Sequence, residues 1–283
     1  GSPEIYKSLT GSHASFETPC GSYAHFKLTR YLLRVTRDSR YGDSMERVMY
    51  NTVLGSLPLQ ADGRTYYYSD YNFKGRKVYK TQRWACCSGT LPQVAADYRI
   101  NTYFRDAQGV YVNLYIPSTL RWTQGGAKIE LTQKGAYPCE GVVQFEVKMS
   151  KSSEFAVNLR IPAWAEKASI AVNGRRVLSP ESGSFARLSR EWKTGDRIEL
   201  ELPLTARLEA IDAQHPDTVA LVVGPLVLFA IGESQSKVTR AQLLAVKKMT
   251  PEVWHVDIAS GVMKLMPFTA IEDQPYTTYL TVT

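Results

Sequence analysis

The sequence predicts a multidomain chain, helical first and β afterwards, with the β part built as one or two antiparallel sandwiches. Three observations carry this. Apolar residues recur at helical spacing through the first hundred positions and at spacing two beyond about residue 101. Turn residues punctuate the second part at short intervals, as in sandwiches. Helices followed by strands, not alternating with them, argue for an all-α part joined to β domains.

In SYAHFKLTRYLLRVTRD, apolar residues at Ala24, Leu28, Tyr31, Leu32 and Val35 define one helix face. SRYGDSMERVMYNTVLGS repeats the pattern through Tyr41, Met45, Val48, Met49, Thr52 and Val53, with Gly55 as a stop. DGRTYYYSDYNFKGRKVYK reads as extended. A third helix is expected after Cys87, with Thr90 as N-cap, Pro92 in the first turn, and Val94, Ala95 and Tyr98 buried. From there GVYVNLYIP alternates Val110, Val112, Leu114 and Ile116 against Tyr111, Asn113 and Tyr115. VVQFEVKMS, FAVNLRIPAWA, ASIAVNGRRV and DRIELELPL behave alike, and Asn173-Gly174 is a hairpin turn. The longest apolar stretch, residues 218–232, is shorter than a membrane span needs and is broken at Gly224-Pro225, so it reads as two buried strands. The expected domains are 1–100 (helical), 101–205 (sandwich), and 206–283 (a second β domain or a continuation of the sandwich). Two or three helices alone leave apolar faces uncovered, so the helical part is expected to be the end of a larger helical domain.

Composition narrows the partners. The chain is 44% apolar and 22% charged, ordinary for a globular protein. The net charge of +7 is spread among residues that also form helix cores, which argues against a nucleic-acid surface. No membrane partner is expected, and no secretory signal is visible. A cytoplasmic or a periplasmic setting both remain open.

Only four cysteines occur, Cys20, Cys86, Cys87 and Cys139, too few for a disulfide scaffold. Two are adjacent in RWACCSG. Glu17 and Cys20 in FETPCGS, with Cys86 and Cys87, would offer three thiolates and one carboxylate, a sufficient set for Zn²⁺. Placed before a helix, the pair would gain from the N-terminal dipole. Free cysteines are also common as small buried hydrophobes, and from the residues alone both readings stand. Cys139 is expected to be a buried thiol without a catalytic role.

The segments FETPCGSYAHFKLTRYLLRVTRDSRYGDSMERVMYNTVL, CCSGT, GVYVNLYIPS, LRIPAWA and ALVVGPLV, in this order, resemble the zinc-dependent β-L-arabinofuranosidases of glycoside hydrolase family 127. The resemblance covers nearly the whole chain. It implies the C-terminal portion of an (α/α)6-barrel enzyme with β-sandwich domains. It also implies a carbohydrate substrate and a retaining hydrolysis in which a cysteine thiolate is the nucleophile. Carried over by motif, Cys86 would be nucleophile and zinc ligand. Cys20, Cys87 and Glu17 would complete the shell. Glu46 and Tyr67 would contact the sugar. Apart from the resemblance, Glu46 reads equally as a helix-surface partner of Arg47 or Arg40, and Tyr67 as core. A homodimer is a further expectation.

Two departures stand out. The family motif has one residue between its glutamate and cysteine ligands, and here there are two, Thr18 and Pro19. The family's acid/base glutamate lies upstream of that motif, where the sole carboxylate here is Glu4, in a segment unlike the family's. The alternative reading is a non-catalytic carbohydrate-binding or scaffold sandwich with a structural zinc site.

Overall fold

The computed structural model describes residues 16–17, 19–56, 60–63, 65–66, 68–70, 74–79, 86–232 and 237–283. Helix α1 is Pro19–Thr36, α2 is Ser39–Val48 and α3 is Cys86–Asn101. After α2 the chain continues through a π-turn, Met49–Val53, and a 3₁₀ turn, Leu54–Ser56, so Gly55 sits where a stop was expected. A Cβ at Gly55 would overlap the Phe268 ring, which is why glycine stands there.

The chain divides into two compact units. The first holds residues 1–26, 47–95 and 206–283, and the second holds 27–46 and 96–205. The helical residues are thus shared between the two units.

The second unit is a sandwich. One sheet has six strands in the order Arg175–Leu178, Ser169–Val172, Arg197–Glu201, Val142–Met149, Ala127–Gly135, Ser118–Gln124. The other has four, in the order Ser184–Trp192, Ser153–Ile161, Gly109–Val112, Tyr103–Arg105. All neighbours are antiparallel except Gly109–Val112 and Ser153–Ile161, which run parallel. Alternation along Val142–Met149 buries Val143, Phe145 and Val147 and leaves Val142, Gln144 and Lys148 outside. Asn173 and Gly174 both take positive φ, 52° and 77°, and close the expected two-residue hairpin.

Ser153–Ile161 departs from alternation. Its last seven residues are all buried, including Asn158 and Arg160. Asn113 and Tyr115, read from the sequence as outward, are buried too. Strict alternation marks a sheet with one wet face. Here the second face of the four-stranded sheet is covered by α2, where Asn113 Nδ2 lies 3.4 Å from Met45 Sδ.

The first unit contains a sheet ordered Ala206–Ala210, Thr218–Val223, Leu226–Ile231, Gly261–Pro267, Val253–Ile258, Lys247–Thr250, with short strands at Tyr276–Thr277 and Leu280–Thr281 joining its middle. The apolar run of 218–232 is indeed two strands, turning at Gly224 (φ 54°) and Pro225 with Val223 opposite Leu226. Tyr66, Phe229, Phe268 and Tyr276 form the aromatic centre of this core. Phe229 stacks on Phe268 at 5.2 Å, and Tyr66 and Tyr276 meet the Phe268 ring edge-on. A small sheet of Phe16–Glu17, Tyr68–Asp70 and Lys77–Val78 belongs to the same unit. Among the described residues no helix is long and apolar enough to cross a membrane.

Helix α1 turns the opposite way from the sequence expectation. Tyr23, Phe26, Thr29 and Leu33 are its buried face. Leu28, Tyr31 and Val35 are 56%, 58% and 84% exposed. The helix is apolar on two arcs, and periodicity locates both without saying which one meets this chain's own sheets.

Candidate active site

The four residues of the expected metal shell lie in the first unit. Glu17 is in the strand Phe16–Glu17, its backbone opposite Ser69. Cys20 is the second residue of α1 and is half-buried. Cys86 and Cys87 open α3. The helix therefore starts at the cysteine pair, four residues before the expected N-cap Thr90, and Pro92 lies inside it. Both cysteine-bearing segments are helix N-termini. There the unbonded backbone N–H groups and the dipole favour negative charge. The side chains of Glu17, Cys86 and Cys87, and the whole of Tyr67, lie outside the described residues. Among the described residues no three His, Cys, Asp or Glu side chains converge as a metal site. Cys139, expected buried, is half-buried in the turn after Tyr137-Pro138.

Glu46 is fully described, and its surroundings were not foreseen. It is 1% exposed and sits in the second unit, on α2. Its Oε1 accepts hydrogen bonds from Tyr137 Oη (2.6 Å) and Arg160 Nη2 (2.7 Å), and its Oε2 from Trp164 Nε1 (3.3 Å). The surface partners expected for it are engaged elsewhere. Arg47 pairs with Glu209 at 2.6 Å, and Arg40 with Asp38 at 2.9 Å.

Arg160 is the centre of this cluster and is 0% exposed. Nη1 donates to Asp43 Oδ1, Nη2 to Glu46, and Nε to the Asn113 carbonyl at 2.6 Å. Asp43 Oδ2 accepts the Ala163 N–H at 2.8 Å. The Arg160 carbonyl accepts the buried Tyr115 hydroxyl. Burial alone would favour a neutral Arg160. The Glu46 and Asp43 carboxylates outweigh it and hold the guanidinium charged well above its ordinary range. Burial pushes the Tyr115 phenol far up, so it remains a donor at any working pH. The LRIPAWA segment thereby gains a physical meaning. Its arginine and tryptophan, four residues apart, both bond one α2 carboxylate. A sequence signal for this existed, because a lone Arg inside an otherwise apolar strand demands buried counter-charges.

Gly42 on α2 is the price of that close approach, since a Cβ there would overlap Asn113 Oδ1 and Arg160 Cδ. Gly42→Ala is expected to lower stability by roughly 1–3 kcal/mol despite alanine's better helix propensity, read as a lower urea midpoint. An unchanged or raised midpoint would mean that Arg160 can yield at no cost.

Comparisons with known proteins place this architecture. A family profile described as the β-L-arabinofuranosidase GH127 catalytic domain matches residues 5–99, and one described as the GH127 middle domain matches residues 109–204. Among solved structures, a GH127 β-L-arabinofuranosidase from Geobacillus stearothermophilus T6 aligns with a TM-score of 0.78 at 20% identity, covering 96% of this chain and 51% of that one. A structure titled glycoside hydrolase aligns at 0.77 and 20% identity, covering 96% and 53%. A GH127 β-arabinofuranosidase aligns at 0.79 and 20% identity, covering 96% and 50%. At that identity these likenesses concern the fold. The chain spans about half the length of the solved structures it matches. No curated protein matches it.

Proposed function

The chain belongs to glycoside hydrolase family 127, and from that premise we propose that it carries the nucleophile part of a retaining β-L-arabinofuranosidase-type glycosidase acting on a plant-type glycan or glycoprotein. The observation that supports this most is that Glu17, Cys20, Glu46, Tyr67, Cys86 and Cys87 all fall within the match to the catalytic-domain profile. In this reading α1, α2 and α3 are helices of an (α/α)6 barrel. The exposed Leu28, Tyr31 and Val35 support it, because an apolar helix face is stabilised only against another element.

Glu17, Cys20, Cys86 and Cys87 would hold zinc, and the set of three thiols and one carboxylate suits that ion. When bound, zinc would keep the thiols ionised at neutral pH. The Cys86 thiolate attacks the anomeric carbon as the glycosidic C–O bond breaks and the aglycone leaves as an alcohol, and water then cleaves the C–S bond of the glycosyl-enzyme to release the sugar and free the thiol, so one difficult displacement becomes two easier ones with net retention. Cys20 and Cys87 hold the metal without attacking, and Tyr67 contacts the sugar. Glu46 acts on the sugar either directly or by fixing the Arg160–Trp164 segment.

The test joins metal analysis to thiol accessibility. The purified protein is expected to carry one zinc and to leave only one of its four cysteines open to alkylation. Cys86→Ser is expected to keep the fold and to abolish turnover of an aryl β-L-arabinofuranoside by the whole enzyme. Absence of zinc with four reactive thiols would sink the proposal. Unfolding of Cys86→Ser on loss of metal would instead favour a structural zinc site.

A further inference from the structure

The chain holds one Asn-Gly pair, Asn173-Gly174, and the sandwich unit places it at an exposed hairpin tip. In such a pair the side-chain amide is open to attack by the next backbone nitrogen, because glycine has no Cβ to shield that nitrogen. A Cβ built at Gly174 would meet no described atom within 4 Å, so no neighbouring segment shields the tip either.

What restrains the pair is the bonding of Asn173 itself. Its Nδ2 donates to Asp196 Oδ1 at 2.8 Å, and its Oδ1 accepts the Arg197 N–H at 2.9 Å. Its backbone N–H donates to the Arg197 carbonyl at 2.9 Å. Asp196 is buried and is fixed in turn, its Oδ2 accepting the Lys193 N–H at 3.0 Å. Closing a ring onto the Gly174 nitrogen requires Asn173 Cγ to swing away from both side-chain partners and the left-handed backbone (φ 52°) to open. Hydrogen bonds to a carboxylate are among the stronger ones, so Asp196 supplies most of this restraint.

The strand beyond the turn has little else to hold it. Arg175–Leu178 is an edge of the six-stranded sheet and, among the described residues, pairs with Ser169–Val172 alone. Arg175, Arg176 and Val177 are exposed, and the ladder is irregular between Ile170 and Ala171.

We propose that Asn173 is a deamidation site, that Asp196 is its brake, and that conversion releases the edge strand Arg175–Leu178. The Gly174 nitrogen, losing its proton to base, attacks Asn173 Cγ. The new C–N bond forms as the Cγ–Nδ2 bond breaks, and ammonia leaves with the proton. Water then opens the cyclic imide at either carbonyl and yields aspartate or isoaspartate. Either product removes the donor to Asp196. Aspartate sets a second carboxylate in its place, and two like charges so close resist ionising together. Isoaspartate adds a backbone methylene to a two-residue turn whose geometry sets the register. Release of Arg175–Leu178 would turn Ser169–Val172 into an open sheet edge, a template for pairing with another chain.

The experiment incubates the protein at mildly alkaline pH, folded and in urea, and follows Asn173 by peptide mass spectrometry. Conversion is expected at Asn173 and not at Asn113 or Asn158, each of which precedes a leucine. It should run at least about tenfold slower in the folded sample, and Asp196→Ala, shown folded by circular dichroism, should restore about tenfold, as loss of one charge-assisted hydrogen bond does. Asn173→Asp, made directly, should speed hydrogen exchange of the Arg175–Leu178 amides about tenfold and leave that of Ser153–Ile161 unchanged. No conversion in urea, equal rates in the two samples, or Asp196→Ala converting no faster than the wild type would overturn the proposal. Unchanged exchange in Asn173→Asp would overturn the release of the edge strand. Should Asp196→Ala fail to fold, the two wild-type rates and the Asn173→Asp exchange still decide.

Discussion

Arg160→Ala is expected to destabilise the sandwich unit by roughly 3–5 kcal/mol, the cost of breaking a buried ion pair from one side. The substitution leaves Glu46 buried as an uncompensated carboxylate, strips Asp43 of its side-chain partner, and leaves the Asn113 carbonyl without the Arg160 Nε donor. A domain of this size is marginally stable, so the loss would remove a large share of the total. Arg160→Lys should rescue little, because one ammonium cannot span two carboxylates and a carbonyl that the planar fork reaches together. Urea unfolding measures this, and a shift under about 1 kcal/mol for Arg160→Ala would show that the cluster contributes little. Glu46→Gln separates the two roles open to Glu46. It keeps a carbonyl acceptor for Tyr137 and Arg160 but removes the charge. If Glu46 acts by fixing the Arg160–Trp164 segment, the variant should lose stability and turnover together. If it also touches the sugar directly, turnover measured well below the unfolding transition should fall further than in a variant of equal stability loss, such as Trp164→Phe.

The second large effect concerns pH. Lys77 is 7% exposed, and its Nζ donates to the Phe268 carbonyl (3.1 Å) and the Ile271 carbonyl (2.5 Å). The Phe268 ring lies 4.6 Å from the same nitrogen. Burial drives its pKa down, Glu272 and Asp273 push back, and the result is about 7 against an ordinary 10.5. The folded state thus releases this proton at a lower pH than the unfolded state does. Below pH 7 both states hold the proton and stability is flat with respect to this group. Between 7 and 10.5 the unfolded state binds more protons, so stability rises with pH. A gain of about 2–3 kcal/mol between pH 6.5 and 9 is expected in the wild type, and Lys77→Met should abolish that slope. An identical slope in the variant would place the titration elsewhere.

Both effects come from residues whose role the sequence hid. Lys77 sits in a polar, aromatic segment, KGRKVYK, where nothing separates it from Lys74 or Lys80. Its burial follows from Phe268 and Ile271, almost two hundred positions away. Arg160 was visible as an odd charge in FAVNLRI, but its counter-charges Asp43 and Glu46 belong to a helix more than a hundred positions upstream. Reading Glu46 as a surface residue followed from its helical neighbours. The neighbours that matter, Tyr137, Arg160 and Trp164, are brought in by two other segments.

The sequence by itself determined what local chemistry determines. Asn173-Gly174 had to turn, because few other pairs take positive φ at two successive positions. Gly224-Pro225 had to divide the apolar run, and period-two patterning had to give strands from residue 103 onward. The thiol pair and FETPCGS marked the candidate centre by their order along the chain. Tertiary structure decided the rest. It selected which of α1's two apolar arcs is buried, and it covered the second face of the four-stranded sheet, so that Asn113, Tyr115 and Arg160 became core. The physical reason is the same in each case. Periodicity reports which faces of an element are apolar, whereas burial depends on what another segment brings to that face, and the partner's identity is not encoded in the element itself.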